Sequence, residues 1–468
     1  MFFDIEKFGG RTSIIEENRD VSYSALCSFS REIAEKMGGR SLCFIMASNT
    51  LASIAGYVGC INGKIVPVMV DSGLHHDLKV SMTDLYKPSF IWMPDSGETF
   101  SGYEEIWSKE GYVLLKASDD EPCELFPELA LLITTSGSTG SPKLVRQSYR
   151  NLESNTRSII EYLGITEKER AVTSLPMNYV YGLSVINTHL CAGAALVLTG
   201  LNCYSPKFWQ LFNEKEATSF AGVPFMYEVI NKLKVFKKKE LPTLKTMTQA
   251  GGKITPELHK VFAEYAAETG RDFVVMYGAS EATARMGYLP PEKSLEKNGS
   301  MGIEIPGGRF ELVDDEGNVI TETDVPGELV YYGDNVTLGY AECREDLSKG
   351  DENRGRLATG DVALRDADGY YYVVGRKKRF IKVVGKRVNL DEVERNLKNE
   401  LQTSDVACTG KDDSLLVYLV DESLQEAASE YVFEKIGISR GLYKTLVIPE
   451  IPKNPSGKIL YSELKTEV

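Results

Sequence analysis

The sequence predicts an α/β (mixed α+β) protein: a large N-terminal domain of layered α/β subdomains with a β-rich subdomain, then a small α+β C-terminal domain. Three observations predict it. Between residues 40 and 200, short apolar runs alternate with helical segments, the pattern of strands and helices packed in layers. From about residue 300 the texture changes to strand pairs joined by acidic, glycine-containing turns. At 468 residues the chain also exceeds what one ordinary core serves.

The elements follow in order. "SLCFIMA" (41–47) is a strand, "TLASIAGYVGCINGK" (50–64) a helix and "IVPVMV" (65–70) a second strand. "PSFIWMP" and "GYVLLKA" are further short apolar runs between turn signals. Leu131–Thr134 is a strand running into a polar loop, and Leu152, Ile159, Ile160 and Leu163 then recur at helical spacing. The loop is therefore expected to join a strand to a helix. "RFELVDDEGNVI" and "DVALRDADGYYYVVGR" read as two β-hairpins. In the tail, "NLDEVERNLKNEL" is a helix with Asn389 as its N-cap and Glu392 three residues on. "DVACTG", "SLLVYLV" and "KTLVIPE" are strands around a second helix at 423–435. The domains are placed at 1–376 and 377–468, with no internal repeat and no low-complexity linker.

Composition excludes several classes. Apolar content of 43% and charged content of 26% are those of a soluble globular protein. A formal charge of −14, from 67 acidic against 53 basic residues, argues against a nucleic-acid partner. The basic stretch "KLKVFKKKE" (232–240) is most simply the solvated face of a surface helix. Eight scattered cysteines without a CxxC disfavour a zinc site or a disulfide framework and fit a reducing cytoplasm. "MFFDIEKFGGR" has neither the basic nor the apolar region of a signal peptide. The longest apolar stretch, Leu51 to Val70, is broken by Asn62, Gly63 and Lys64, so no membrane span is expected.

The polar loop carries the chemistry. From Thr134 to Ser141 every side chain is a hydroxyl or a hydrogen, and Pro142-Lys143 follows. Small residues let successive backbone N–H groups turn toward one anion, and hydroxyls add donors. Each hydrogen bond to a charged oxygen contributes about 1.5–3 kcal/mol net. The GxxxxGK[ST] pattern is absent, so this is no Walker A loop. By itself such a loop is more often a surface turn.

"TSGSTGSPK" (135–143) resembles the phosphate loop of the adenylate-forming (AMP-binding) superfamily: acyl- and aryl-CoA synthetases, peptide-synthetase adenylation domains and firefly luciferase. Eight further motifs match that superfamily in order: "LPMNYVYGL" (175–183), "AGVPFMY" (221–227), "AGGKI" (250–254), "YGASEA" (277–282), "GELVYYGDNVTLGY" (327–340), "TGD" (359–361), "GRKKRFIKVVGKRV" (375–388) and "NPSGKI" (454–459). The resemblance spans essentially the whole chain and is nearest in pattern to the AMP-forming acyl-CoA synthetases.

The resemblance implies roles residue by residue. Thr135, Ser136, Gly137, Ser138, Thr139, Gly140 and Lys143 would hold the phosphates of ATP. Glu281 would hold Mg²⁺, a hard ion that suits a carboxylate. Tyr277 would lie against the adenine, with Gly278, Ala279 and Ser280 beside it and the backbone of Gly251 and Gly252 close to the base. Asp361 would accept both ribose hydroxyls, two acceptor oxygens matching a cis-diol, and Arg376 would assist at ribose or phosphate. Lys458 would enter the site during adenylation, where an ammonium stabilises the charge developing on the phosphoryl oxygens. Lys378 occupies the hinge about which the small domain swings between two orientations, and Gly385 would lie beside the pantetheine tunnel. Tyr179, Val180, Gly222, Val223 and Ala250 are the acyl-pocket candidates. The implied activity is ATP-dependent activation of a carboxylic acid to an acyl-adenylate, then transfer to the thiol of CoA or of a carrier protein's phosphopantetheine.

The chain departs from the pattern in places. Leu144 replaces the usual glycine after "SPK", and Tyr149 and Tyr179 stand where histidines are common. A tyrosine does not act as a neutral-pH base. No acid lies between Leu175 and Leu183, which disfavours an α-amino acid substrate. The chain ends at Val468 without a fused carrier module, so a separate thiol acceptor is expected. Arg285 could pair with a second carboxylate or polar head of the substrate, or equally make a structural ion pair. A luciferase-like oxygenase and a catalytically silent nucleotide-binding scaffold stand as alternatives. Lys458, Glu281 and Asp361 together argue against the scaffold.

Overall fold

The computed structural model describes residues 3–119, 123–134, 143–384, 386–453 and 459–464, with the side chains of Lys386 and Arg387 left aside. Two compact units emerge. One runs from the N-terminus to Arg309 and takes back Tyr332–Leu357; the other holds Phe310–Tyr331 and the chain from Ala358 onward.

The first unit contains a nine-stranded and an eight-stranded sheet. In the eight-stranded sheet, Leu42–Ala47 pairs in parallel with Val66–Asp71 and with Phe90–Pro94. The helix between the first two, Leu51–Asn62, is buried along nearly its whole length, which is why its sequence is apolar all round. In the nine-stranded sheet, Ser219–Gly222, Thr246–Gln249 and Asp272–Tyr277 lie in parallel register. Ligands of such open sheets gather at the carboxyl ends of the strands, and three of the quoted motifs, at 221–227, 250–254 and 277–282, sit where these strands end.

The loop after Leu129–Thr134 does not lead straight into a helix. Leu144–Ser148 comes first, antiparallel to Leu129–Thr134 with Thr134 opposite Leu144, and the helix Tyr149–Leu163 follows. This strand is hidden in the sequence because Arg146 and Gln147 interrupt its apolar pattern. Both are buried. Arg146 is accommodated by the Glu352 carboxylate and by the carbonyls of Leu338, Tyr340 and Gly350. Ser148 and Asn151 then cap the helix reciprocally, side chain to backbone in both directions.

Pro224–Leu233 and Val235–Lys238 contain the lysine-rich stretch, and only Val235 and Phe236 of the short second piece are buried. Among the described residues no helix is long and apolar enough to cross a membrane.

In the second unit, Arg356–Arg365 and Tyr371–Arg376 form the expected hairpin. The other expected hairpin shrinks to one bridge between Val313 and Val319, because Gly308–Val313 takes Gly327–Gly333 as its sheet neighbour. The tail forms as its pattern predicts. Val406–Lys411, Ser414–Leu419 and Tyr443–Val447 make a three-stranded sheet, and Asn389 caps Leu390–Glu400 by accepting from the Asp391 amide.

Candidate active site

Of the residues expected at the phosphates, Thr135, Ser136, Gly137, Ser138, Thr139 and Gly140 lie outside the described residues, as do Gly385 and Lys458. Lys143 is described. Its Nζ stands 3.1 Å from a Glu342 carboxylate oxygen and 3.8 Å over the ring of Tyr340.

Tyr340 links Lys143 to Glu281. Its hydroxyl donates to Glu281 Oε1 at 2.5 Å, and burial together with that carboxylate pushes the phenol pKa up, so it remains a donor. Glu281 sits in the single turn Ser280–Ala282, whose carbonyl at Glu281 accepts from both the amide and the hydroxyl of Thr337 at 3.0 Å. Its second carboxylate oxygen has no hydrogen-bond donor among the described residues.

The next turn is strained. Thr283 has φ +66°, a conformation a β-branched residue rarely adopts. It is held there by its own hydroxyl, which donates to the Asn335 carbonyl at 2.7 Å, while the Asn335 amide donates to the carbonyls of Ala282 and Arg285. Strain maintained by surrounding bonds is a mark of functional segments. Gly278 belongs to the same turn, since a Cβ there would be driven into the Ala284 carbonyl. Tyr277, half-buried, closes the strand before it.

The structure brings two of the five pocket candidates, Tyr179 and Val223, together around Gly251. Gly251, at φ +85°, lies so close to the Tyr179 hydroxyl that a Cβ would collide with it, and that Cβ would stand 3.1 Å from a Val223 methyl. Gly252 follows, and its carbonyl accepts from Gln249 Nε2 at 2.9 Å. Ala250 is buried beside them in sequence. Gly222 faces the rings of Tyr227 and Phe220, and Val180 lines a small internal cavity with Ile133, Leu152 and Leu183. Tyr179 precedes the helix Val180–Ala192, and burial raises its phenol pKa.

Within the second unit, Asp361 stands opposite Arg376 in the hairpin, and Arg376 Nε lies 3.2 Å from Asp361 Oδ1. Asp361 is 8% exposed, whereas the Arg376 side chain is open to solvent. Lys378 is exposed in the single turn Lys377–Arg379. Its neighbour Arg379 is tied down by Asp391 and Glu394 and lies over the ring of Tyr461 at 3.8 Å.

Among the described residues there is no group of three or more His, Cys, Asp or Glu that could hold a metal. Glu281 nevertheless fits Mg²⁺, which is bound through one or two carboxylates and otherwise by waters and substrate phosphates. Its uncommitted oxygen is the donor such an ion needs. Tyr340 and Thr283 were not singled out in the sequence; Tyr340 lies within a quoted motif, but its partner is 59 residues away.

Comparison with known proteins agrees with this arrangement. The family model described as "AMP-binding enzyme" matches residues 3–341. The chain is 25% identical over 474 residues to the 2-succinylbenzoate–CoA ligase of Bacillus subtilis, covering 97% of this chain and 95% of that one. It is 28% identical to peroxisomal OPC-8:0-CoA ligase 1 of Arabidopsis thaliana (72% of this chain, 64% of the relative) and 27% to oxalate–CoA ligase of the same plant (70% and 66%). Its fold matches the o-succinylbenzoate CoA synthetase of Bacillus subtilis solved with its acyl-adenylate intermediate, at a TM-score of 0.80 and 23% identity over 100% of this chain and 98% of that one. It also matches ATP-bound MatB of Rhodopseudomonas palustris, at 0.78 and 18% over 98% and 97%. The match of the family model across residues 3–341, well over half of the sequence, leads to one conclusion: the chain belongs to the AMP-binding enzyme family.

Proposed function

We propose that the protein is an ATP-dependent, AMP-forming acid–CoA ligase. A carboxylate oxygen of the acid attacks the α-phosphorus of ATP, the bond to pyrophosphate breaks, and the acyl-adenylate stays bound. The sulfur of CoA then forms the thioester and AMP leaves. What carries the reading is the Glu281–Tyr340–Lys143 group, whose lysine follows the small-residue segment 135–142 in sequence. Relatives named as ligases of CoA with 2-succinylbenzoate, OPC-8:0 and oxalate support the thiol acceptor. Mg²⁺ bound at Glu281 would neutralise phosphate charge.

The chain's own groups have separable duties. Tyr340 fixes the rotamer of Glu281, and Lys143 places positive charge beside it. Asp361 takes the ribose diol, with Arg376 held alongside. Tyr179, Val223 and Gly251 wall the acyl group, and a wall without charge excludes water from a hydrolysable anhydride. Lys458 supplies the ammonium for adenylation, and residues 377–468 move as a unit about Lys378 to bring Gly385 to the pantetheine. Eight free cysteines suit a reducing cytoplasm. A separate carrier protein is the other acceptor open to such an enzyme.

Pyrophosphate release from MgATP over a panel of carboxylic acids, with and without CoA, tests this. Turnover that CoA accelerates and Lys458→Ala abolishes is the expected result. ATP binding with no release for any acid would overturn it, and release that stops at one equivalent despite CoA would move the acceptor to a carrier protein.

A further inference from the structure

Arg285 is 3% exposed, yet none of its nitrogens lies within 4 Å of a carboxylate among the described residues. Two other buried cations of the same unit are treated differently: Lys79 is paired with Glu98 and Arg146 with Glu352. Arg285 has only neutral company. Its Nε points at Met276 Sδ (3.4 Å), Nη1 donates to the Ala284 carbonyl (3.2 Å) and Nη2 to Ser184 Oγ (3.3 Å). The guanidinium carries five N–H donors, and these three bonds are long or to a weak acceptor.

Its aromatic surroundings fix where it lies. The guanidinium carbon stands 3.9 Å from the ring centre of Tyr181. Tyr181 is in turn anchored through its hydroxyl to Thr248 Oγ1 at 2.7 Å, on the strand that delivers Ala250 and Gly251. Tyr179, edge-on to Tyr181 with ring centres 6.3 Å apart, is the wall residue whose hydroxyl overlies Gly251. The cation therefore stands one aromatic ring behind Tyr179, with Tyr181 between them.

A buried charge without a counter-ion is costly, and removing one partner of a buried pair is strongly destabilising. The Tyr181 face offsets part of this through a desolvated cation–π contact. A carboxylate on a neighbouring side chain would neutralise the rest permanently, and the described residues supply none within 4 Å. We infer that the counter-ion of Arg285 is the substrate: the activated acid carries a second anionic group, a carboxylate distal to the one that attacks ATP. This rests on the acid-activating reading of the site. The planar fork of the guanidinium matches a carboxylate with two parallel hydrogen bonds, and a site built to pair such a group rejects the analogue lacking it by large factors.

The test compares matched acids: adipate with hexanoate, and phthalate and terephthalate with benzoate. Each is assayed for pyrophosphate release, and for binding by calorimetry in the presence of AMP. The proteins are the full-length chain, Arg285→Gln and Arg285→Lys, with ATP-dependent thermal stabilisation as the folding control. The expected result is at least a 100-fold preference in kcat/KM for a diacid over its matched monoacid. Arg285→Gln should lose it mainly through KM, and Arg285→Lys should recover part. Turnover of monoacids with equal or better efficiency overturns the inference and leaves the ligase reading standing. Diacid binding that needs Arg285, without any pyrophosphate release, supports the anion site and overturns the ligase reading. Neither binding nor turnover with either series overturns both. If Arg285→Gln fails the folding control, the discrimination shown by the unaltered chain decides alone.

Discussion

The Tyr340 hydroxyl donates to the Glu281 carboxylate at 2.5 Å, across 59 residues of sequence, while the ring of the same tyrosine lies under the Lys143 ammonium. One side chain thus orients the proposed magnesium ligand and receives the cation that follows the proposed phosphate-binding segment in sequence. Tyr340→Phe keeps the ring and removes the donor. A hydrogen bond to a charged group contributes about 1.5–3 kcal/mol, so kcat/KM for MgATP should fall about 10- to 100-fold. The magnesium concentration giving half-maximal pyrophosphate exchange should rise with it. An unchanged magnesium requirement would remove Tyr340 from the site.

Gly251→Ala should act through Tyr179. The added Cβ would meet the Tyr179 hydroxyl first, and the backbone there has φ +85°. We expect KM for the acid to rise about tenfold or more, the left-handed conformation alone costing an L-residue about 1–2 kcal/mol. Tyr179→Phe removes the nearest clashing atom, so the double variant should recover part of the loss. Strictly additive effects in this double-mutant cycle would show that the two residues do not meet.

His259 supplies a pH dependence. Its Nδ1 accepts the Gly299 amide at 3.1 Å, which leaves Nε2 to donate to Ser294 Oγ at 2.9 Å. Protonation would set a second N–H against the Gly299 amide, and burial lowers the imidazole pKa from 6.5 to about 4. The folded pKa is depressed, so the stabilisation is complete above pH 6.5 and is lost as pH falls toward 4. Its size is up to about 3 kcal/mol. Urea unfolding of His259→Gln should therefore depend less on pH between 7.5 and 4.5, by roughly 2–3 kcal/mol. Parallel pH profiles for the two proteins would refute this.

Glu394 holds the second unit's own core together. Its carboxylate accepts from the Cys408 amide (3.0 Å), Tyr461 (3.0 and 3.2 Å), Arg379 (3.3 Å) and Lys398 (2.8 Å), and it is 6% exposed. Glu394→Ala leaves Arg379 with Asp391 as its one carboxylate partner among the described residues and should cost about 3–5 kcal/mol, read as lost hydrogen-exchange protection in Val406–Lys411. Tyr461→Phe should cost about 1 kcal/mol. Equal losses in the two variants would mean that the charge network contributes little.

The sequence by itself determined the superfamily and the alternation of layers, because both are local. A phosphate-binding loop needs small residues in succession, a glutamate turn needs its immediate neighbours, and the parallel strands read as unbroken apolar runs such as Leu42–Ala47. Only the tertiary structure decided which polar residues are buried and what faces them. Leu144–Ser148 is a strand because Glu352 and distant carbonyls receive Arg146, and no local pattern announces that. Thr283 adopts a disfavoured backbone conformation because Asn335 holds it, 52 residues on. Arg285 was legible as a cation beside the glutamate motif, but its want of a carboxylate partner among the described residues was not. That depends on every chain segment that folds around it, and desolvation, which sets the energy of a buried charge, exists only once those segments have closed.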